Sequence, residues 1–192
     1  MADTPAGPTA TSEADAALRI RFWGVRGSIP SPGADTIRYG GNTSCVTVES
    51  PLIEPAADGK PGFAIFDAGS GIRALAMHLL REKRLPIRAH LFLTHTHWDH
   101  IQGFPFFVPA LIPGNHISVY GSPEGDGGVE AALEGQMAHR YFPIGLKQMA
   151  AKLDFHQLEP GEHAIAGMHV TVAPLFHSSV TVGYRVELGG RS

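Results

Sequence analysis

A chain of 192 residues is long enough for one domain with a sizeable core, and 43% of its residues are hydrophobic. The mean hydropathy is close to zero and the formal net charge is −3, which excludes a wholly disordered chain and gives no strong attraction to phosphate backbones. No run approaches the roughly 20 apolar residues that a membrane span needs, so no membrane partner is expected.

The first 17 residues are rich in Ala, Thr, Pro and acidic residues, without the basic start and apolar stretch of a signal peptide. We therefore predict a disordered tail at residues 1–17 and one domain at residues 18–192. The one cysteine, Cys45, excludes an internal disulfide and agrees with a reducing compartment, so a cytoplasmic location is expected. Cys45 lies in a strand-like run, which favours a buried apolar role over that of a nucleophile.

In the first half of the chain, strands are predicted where apolar residues alternate with polar ones or run together: residues 18–23, 44–49, 63–66 and 87–93. Glycines and prolines predict loops over residues 24–33. Apolar residues at helical spacing from Ile72 to Leu80 predict an amphipathic helix over residues 71–83, which ends before Pro86.

In the second half, helices are predicted at residues 101–107, 129–138 and 146–153. A strand is predicted at residues 117–120, a loop at residues 121–128, and short strands between residues 155 and 187. Alternating strands and helices predict an α/β layered domain.

Four side chains that can bind a metal lie within six residues, directly after an apolar strand: His95, His97, Asp99 and His100. His95 and His97 point the same way in an extended segment, because side-chain direction repeats every two residues. That pair can chelate one ion. A turn of the chain after Trp98 would allow Asp99 and His100 to bind a second ion. Imidazole nitrogens and carboxylate oxygens suit Zn²⁺, Fe²⁺ or Mn²⁺.

This run resembles the His-x-His-x-Asp-His signature of the metallo-β-lactamase superfamily, a set of mostly hydrolytic metalloproteins. Residues 63–71 resemble the superfamily's strand that ends in Asp-x-Gly-x-Gly. Residues 22–33 and 39–45 resemble the N-terminal hairpin of one branch, the PhnP-like and TaR3-like phosphodiesterase-type hydrolases related to ribonuclease Z. His177 with residues 183–186, Gly-Tyr-Arg-Val, resembles that branch's later His…Gly-Tyr-Arg element.

The resemblance implies an αββα sandwich with a metal site along one edge of the paired sheets. It also implies that His177 completes the first metal site with His95 and His97. Three imidazoles with an open position are the arrangement in which Zn²⁺ lowers the pKa of bound water to about 7. Asp99 and His100 would begin a second site. Asp99 is also a candidate catalytic residue that orients or deprotonates the water, and the sequence does not separate its two roles.

The chain departs from the branch's pattern in two places. Ser178-Ser-Val follows His177 where Pro-Gly-Gly is usual, which is closer to the ribonuclease Z form. The pattern also continues with a strand that bears a metal-bridging Asp and then a distal His, whereas this sequence stops at Ser192. We therefore expect the αββα fold to be incomplete at the C-terminus, the chain to be a truncated form of a longer protein, and its activity alone to be weak.

The predicted function is metal-dependent hydrolysis of a phosphodiester, in a small molecule or a nucleic acid, with two Zn²⁺ sites in a full-length form. A β-lactam or thioester hydrolase is a less favoured enzyme class, because of the Gly-Val-Arg-Gly-Ser element and the Gly-Tyr-Arg strand. The alternative outside the enzymes is a non-catalytic or inactive metal-binding fragment of such a hydrolase. A homodimer is a further expectation.

Several residues near the predicted site have two interpretations. Asp67 either accepts the free N–H of a metal-bound imidazole or bonds its own turn before Gly69. Asn42 or Arg26 either touches a phosphate or is purely structural. Trp98 and the aromatic cluster at residues 104–107 either line an apolar pocket or pack the ligand loop onto the core. The other histidines are expected to be surface or satisfied core residues: His78, His90, His116, His139, His156, His163 and His169.

Overall fold

The structure, a computed structural model, describes residues 18–123 and 127–192. The predicted tail and part of the predicted loop at residues 121–128 lie outside the described residues. The strands are β1 (Arg19–Gly24), β2 (Cys45–Glu49), β3 (Phe63–Phe66), β4 (Arg88–Phe92), β5 (His116–Gly121), β6 (Lys152–Gln157), β7 (Gly161–Ile165), β8 (Met168–Leu175) and β9 (Thr181–Glu187). The helices are α1 (Gly71–Arg81), α2 (Trp98–Ile101) and α3 (Gly128–Gln136).

The strands form two sheets, and the larger one brings several loop ends together. Its order is β1-β2-β3-β4-β5-β6, antiparallel from β1 to β3 and parallel from β3 to β6. The smaller sheet is the antiparallel set β7-β8-β9. Because the carboxyl ends of parallel strands meet at one edge of a sheet, the loops that follow β3 and β4 lie side by side.

Side chains of the central strands point alternately to the two faces of the larger sheet, and so they form two layers of core. Ile65, Leu91 and Val119 face the helices and pack in one cluster with Ile72 and Leu75 of α1. The opposite face of the same strands packs against the smaller sheet, through Ala64, Phe92, Tyr120, Val170 and Val172. Each fully buried aliphatic side chain stabilises the fold by about 1.5–3 kcal/mol, so these two clusters hold the three layers together.

Most elements predicted from the sequence are confirmed, and two predictions are wrong in place or type. Residues 146–153 are not a helix: a short 3-10 turn covers Leu146–Gln148, and β6 begins at Lys152. Leu153 and Phe155 both pack on the helix-side core, so the apolar period changes from helical to alternating at this point. The helix predicted at residues 101–107 instead lies at Trp98–Ile101, and a 3-10 turn containing Pro105 follows it.

The inner face of β4, β5 and β6 carries an unusual row of polar side chains. His90, Ser118 and Asp154 are register neighbours across the three strands. His90 is only 2% exposed. Its Nδ1 lies 3.3 Å from the hydroxyl of Tyr120, whereas its Nε2 has no hydrogen-bond partner among the described residues. We expected His90 to be a core histidine with hydrogen-bonded ring nitrogens. This expectation is met by Nδ1 and is wrong for Nε2.

Burial of His90 predicts a loss of stability in acid. Burial lowers the pKa of His90 from 6.5 to about 4, so the unfolded chain takes up a proton that the folded chain rejects between these pH values. The His90 contribution is present above pH 6.5 and disappears as the pH falls toward 4. At pH 5 it should lower the free energy of unfolding by about 2 kcal/mol relative to pH 7.5, measured by urea denaturation.

The matched variants are His90→Gln, which removes this titration, and His139→Gln, which changes an exposed histidine. The pH-dependent loss should shrink by about 2 kcal/mol in His90→Gln and stay at its original size in His139→Gln. An equal loss in the original chain and in His90→Gln would show that His90 is not the group responsible.

Candidate metal site

Three histidines from two distant parts of the chain converge at the edge where the sheets meet. His95 Nε2 lies 3.1 Å from His97 Nδ1, and His177 Nε2 lies 3.3 Å from the same His97 nitrogen. One ligand atom from each residue falls within 4.8 Å of the others. We call His95, His97 and His177 the three-histidine cluster.

The cluster depends on how the smaller sheet is attached to the end of β4. His95 and His97 follow β4 directly, and His177 lies in the loop at residues 176–180 between β8 and β9. The N–H of Val182 donates to the carbonyl of Thr94 at 2.9 Å, and the hydroxyl of Tyr184 donates to the carbonyl of Leu93 at 2.7 Å. These two bonds set the β8–β9 loop beside the end of β4 and so bring His177 to the other two imidazoles.

Two of the three nitrogen separations match those around one tetrahedral metal ion. Ligands at about 2.0–2.1 Å from Zn²⁺ in a tetrahedron lie about 3.3–3.4 Å from one another. The observed separations of 3.1 and 3.3 Å are close to that value. Burial, together with the nearby His100 and His97, lowers the pKa of His95 to about 4, so this imidazole is neutral at pH 7 and its lone pair is available to a metal.

A buried carboxylate behind the cluster sets the orientation of two imidazoles. Asp67 Oδ1 accepts hydrogen bonds from the N–H and the hydroxyl of Thr94, both at 2.9 Å. Asp67 Oδ2 accepts from the hydroxyl of Ser44 at 3.0 Å and contacts His100 Nδ1 at 2.7 Å. The Thr94 hydroxyl also lies 3.1 Å from His95 Nδ1.

These contacts fix the tautomers that metal binding needs. With Nδ1–H of His100 donated to Asp67, the Nε2 lone pair of His100 faces away from the carboxylate. With Nδ1–H of His95 donated to Thr94, the Nε2 lone pair of His95 points into the cluster. The structure therefore favours the first of the two interpretations of Asp67, in which the carboxylate accepts an imidazole N–H rather than bonding its own turn.

Asp99 and His100 lie together beside the cluster. His100 Nε2 is 3.5 Å from Asp99 Oδ2, and the rings of His95 and His100 have centroids 4.1 Å apart. Burial opposes ionisation of Asp99, but the N–H of Ser28 at 2.8 Å and the nearby His100 outweigh it and hold the pKa of Asp99 below its usual range. Burial alone would lower the pKa of His100, whereas Asp67 raises it overall.

Close backbone packing holds this ligand run against the end of β3. The N–H of Ala68 donates to the carbonyl of His100 at 2.7 Å. A Cβ atom on Gly69 would overlap the carbonyl oxygen of Asp99, so only glycine allows the two segments to approach this closely. Asp67, before these residues, has a left-handed backbone with φ of 62°. The Asp-x-Gly pattern is thus required by the packing of the ligand run.

A cavity of about 490 Å³ opens in front of the predicted ligands. Its wall includes all five of them and also Ser28, Leu175 and Phe176. Its size lies in the range of about 300–1,000 Å³ that is usual for small-molecule sites. The arrangement can therefore admit a ligand whose anionic group reaches the imidazoles and whose organic part contacts the apolar wall.

Several residues that had both a functional and a structural interpretation have the structural one. The Asn42 side chain accepts a hydrogen bond from the Ser70 hydroxyl at 3.1 Å, so it braces the loop before β2. Cys45 is fully buried, and burial raises the pKa of its thiol, which confirms the apolar role. Phe104 and Phe107 are fully buried in the core, whereas Trp98 is 77% exposed.

Sequence reasoning missed two contributors to the site, Ser28 and Thr94. Ser28 acts through its backbone N–H, which no residue pattern reveals. Thr94 acts through a hydroxyl that lies between Asp67 and His95, and its position directly before the first histidine was the available signal.

Two facing sheets carry a cluster of imidazoles at their shared edge. The fold is therefore a layered α/β domain, and the site has the ligands that could hold a metal ion. Residues 64–192 match the family model described as the beta-lactamase superfamily domain, and the chain belongs to this superfamily. The superfamily and its branch related to ribonuclease Z, predicted from the His-x-His-x-Asp-His run and the Gly-Tyr-Arg element, are confirmed. The α/β fold class is confirmed with them.

Curated relatives include ribonuclease Z proteins. That of Staphylococcus carnosus is 25% identical over 174 residues, which cover 88% of this chain and 49% of the relative. That of Prochlorococcus marinus subsp. pastoris is 31% identical over 128 residues, which cover 64% of this chain and 39% of the relative. The chain spans about half the length of the first of these relatives.

Solved structures agree on the fold. The metallo-beta-lactamase fold protein YhfI from Bacillus subtilis superposes with a TM-score of 0.57 at 16% identity, over 88% of this chain and 57% of that one. A diphosphatase from the PhnP family superposes with a TM-score of 0.56 at 18% identity, over 88% of this chain and 62% of that one. Among the described residues, none of the helices has the length and apolar content that crossing a bilayer requires.

The Asp67 carboxylate should contribute strongly to stability even without a metal. Asp67→Ala removes an acceptor of four hydrogen bonds in a side chain that is almost fully buried, and it leaves the Thr94 N–H without a partner. We expect the free energy of unfolding in chelator-treated buffer to fall by about 3 kcal/mol or more. Asp67→Asn keeps one acceptor oxygen and should lose less.

The matched control is Asp35→Ala, which truncates an exposed aspartate. It should change the free energy of unfolding by less than about 0.5 kcal/mol in the same urea titration. A loss for Asp67→Ala no larger than that of the control would contradict the bracing role.

Proposed function

We propose that this chain binds Zn²⁺ through the three-histidine cluster and belongs to a hydrolase that cleaves a phosphodiester. The observation that carries the proposal is the spacing of the cluster nitrogens, 3.1 and 3.3 Å, beside the Asp99–His100 pair. In this proposal His95, His97 and His177 hold one ion, and Asp99 and His100 supply ligands to a second position. Mn²⁺ and Fe²⁺ are alternative occupants, because all three metals accept imidazole and carboxylate ligands.

A metal ion bound here would act as a Lewis acid toward a phosphoryl oxygen and would activate water as a nucleophile. The side chains around it have separate tasks. Asp67 and Thr94 keep His95 and His100 in the tautomers that present Nε2 lone pairs. Ser28 holds one oxygen of Asp99 with its N–H.

The environment of Asp99 bears on its two candidate roles. A lowered pKa keeps the carboxylate ionised at neutral pH and makes it a weaker proton acceptor. We therefore propose that Asp99 acts mainly as a ligand and as a hydrogen-bond acceptor that orients the attacking water, and less as a general base.

The substrate class rests on relatives rather than on the site alone. The curated relatives are named ribonuclease Z, and one solved neighbour is titled a diphosphatase from the PhnP family. Both names refer to cleavage at phosphorus, and an electropositive metal site suits the charge that collects on non-bridging phosphoryl oxygens. A phosphodiester, in a small molecule or in a nucleic acid, is the substrate class that we propose. Zinc as the metal, a homodimer and a cytoplasmic location stay predictions, as does one domain over residues 18–192.

A non-catalytic metal-binding role is the second candidate. One observation favours it: among the described residues, only the three-histidine cluster gathers three ligand atoms within 4.8 Å of one another. Asp99 and His100 alone provide two ligands for a second ion, which is few for tight binding of a metal with four or more ligands. Metal binding without turnover would support this candidate.

Zinc binding can be tested directly with His97→Ala. This substitution removes the nitrogen that lies nearest to both other imidazoles of the cluster, so we expect Zn²⁺ affinity to fall about 100-fold or more. The fold should persist because His97 lies in a loop at the end of a strand. Isothermal titration calorimetry and elemental analysis give the affinity and stoichiometry.

His139→Ala serves as the control, since this exposed histidine lies outside the cluster. It should bind Zn²⁺ as the original chain does. Stoichiometric zinc in His97→Ala, at unchanged affinity, would rule out the cluster as the binding site.

Hydrolysis can be tested with bis-p-nitrophenyl phosphate and Zn²⁺-loaded protein. Slow turnover is expected, because within residues 18–123 and 127–192 only Asp99 and His100 lie beside the cluster to hold a second ion. Asp99→Asn should lower kcat/KM by about 100-fold or more, whereas Asp35→Asn should leave it unchanged. Zinc-loaded protein with no turnover above that of Asp99→Asn would favour the non-catalytic candidate.

A further inference from the structure

A polar cleft of about 450 Å³ lies between the two sheets, and we call it the inter-sheet cleft. One wall is the row of polar side chains on β4, β5 and β6, and residues 164–166 at the end of β7 line the opposite wall. Arg88 and His116, which line it, are the first residues of β4 and β5, whereas the three-histidine cluster follows the end of β4. Among the described residues, none lines both this cleft and the cavity in front of the predicted ligands. The cleft is therefore a separate feature at the other end of the parallel strands.

Stability alone does not explain the polar floor of the cleft. Farther along the same face of β4, Phe92 packs against the smaller sheet, as a buried inter-sheet position normally does. At His90 and Ser118 the same face is polar, although both side chains are buried. An aliphatic side chain at either position would gain burial energy and would not bring a polar group out of water. Positions that break a buried apolar pattern without a gain in stability are typical of functional sites.

Two buried nitrogens that belong to cleft side chains have no hydrogen-bond partner among the described residues, Nε of Arg88 and Nε2 of His90. The Arg88 nitrogen can only donate. Nδ1 of His90 lies 3.3 Å from the hydroxyl of Tyr120. A phenol is the stronger acid of this pair and an imidazole nitrogen the stronger base, so the hydroxyl donates to Nδ1 and the ring proton lies on Nε2. Both nitrogens are therefore donors that lack an acceptor.

The surroundings of His90 place its ring among the charged groups of the cleft. Burial lowers the pKa of His90 to about 4, and smaller effects come from Glu54, Arg88, His116 and His156. All four of these residues line the cleft. At neutral pH the ring is thus an uncharged donor at the floor of a charged cleft.

The acceptor that fits this cleft best is a small oxyanion. Arg88 is a cation, and a hydrogen bond between a cation and an anion is about twice as strong as a neutral one. The carboxylates of the cleft are already paired: Glu54 lies 2.9 Å from Nη2 of Arg88, and Asp154 lies 2.9 Å from Lys152 and 2.6 Å from His116. These pairs reduce the repulsion that an entering anion would meet. A water molecule takes about 30 Å³, so the cleft has room for an anion of several atoms.

We propose that the inter-sheet cleft is a second binding site and that it takes a small oxyanion, a phosphate or a carboxylate, whose oxygens accept hydrogen bonds from Nε of Arg88 and Nε2 of His90. The inference does not depend on a metal at the three-histidine cluster. It assigns a ligand to a part of the molecule that the proposed function does not use.

The test follows the two donor nitrogens by NMR while inorganic phosphate is titrated into the 192-residue chain at neutral pH. We expect the Nε–H signal of Arg88 and the ring signals of His90 to shift together, with a Kd on the order of 1 mM. A second titration with acetate distinguishes the two sources of the oxyanion. A phosphate site should bind acetate about tenfold or more weakly, and a carboxylate site should show the reverse order.

Two variants and a matched control locate the anion. Arg88→Gln removes the cationic donor from a partly exposed side chain, and it should raise the Kd seen by the His90 ring about tenfold or more. His90→Phe removes the other donor, and the Arg88 signal should report a similar loss. Arg185→Gln is the control, because Arg185 is also paired with a glutamate, at 2.8 Å, but does not line the cleft. It should keep the original Kd.

Three results would overturn the inference. The first is that the Arg88 and His90 signals stay in place in about 50 mM phosphate and in about 50 mM acetate. The second is that the shifts persist at the original Kd in Arg88→Gln but disappear in His97→Ala, which would assign the anion to the three-histidine cluster. The third is that Zn²⁺ shifts the His90 ring in His97→Ala, with Nε2 losing its proton, which would make the cleft a metal site. Each of these results can be told apart from failure of the proposed function, whose test is the affinity of the cluster for Zn²⁺.

Discussion

The buried carboxylate of Asp67 is the contact on which the rest of the site depends. It connects β3 with Ser44 before β2, with Thr94 after β4 and with His100 in α2. A carboxyl group this deeply buried is tolerated only when its oxygens are hydrogen-bonded, and both oxygens of Asp67 accept two bonds. These bonds also offset the left-handed backbone of Asp67, at φ 62°.

The cluster also requires the two sheets to be joined before it exists. His97 and His177 are 80 residues apart, and the second comes from the smaller sheet. The join is both apolar and polar: Val170 and Val172 pack under Phe92, while Val182 and Tyr184 bond to carbonyls at the end of β4. If the proposed metal binds, its affinity and the packing of the sheets are linked, since an ion that bound only the assembled cluster would stabilise the assembled sheets.

The features that the sequence predicted correctly are local ones, with a regular spacing of apolar residues or a dense group of metal-ligand side chains. Alternating apolar residues located most strands, and four ligand types within six residues located His95, His97, Asp99 and His100. Failures occurred where tertiary contacts override the local pattern. Residues 146–153 have apolar spacing that suits a helix, but pairing with β5 makes the later part a strand. The hydrogen bond from Ser28 to Asp99 is donated by a backbone N–H, so no pattern of side chains in the sequence predicts it.

The supports of the site differ in strength, and the difference matters for its chemistry. His95 and His100 are held by a buried network in low dielectric, where hydrogen bonds are strong and rearrangement is costly. Asp99 is held from the other side by one hydrogen bond from Ser28, in a loop at the surface. A single hydrogen bond to a charged group contributes about 1.5–3 kcal/mol, so local opening of this loop costs less than rearrangement of the buried network around the imidazoles. The imidazoles are therefore preorganised, whereas the carboxylate that would orient the nucleophile can adjust as a substrate enters.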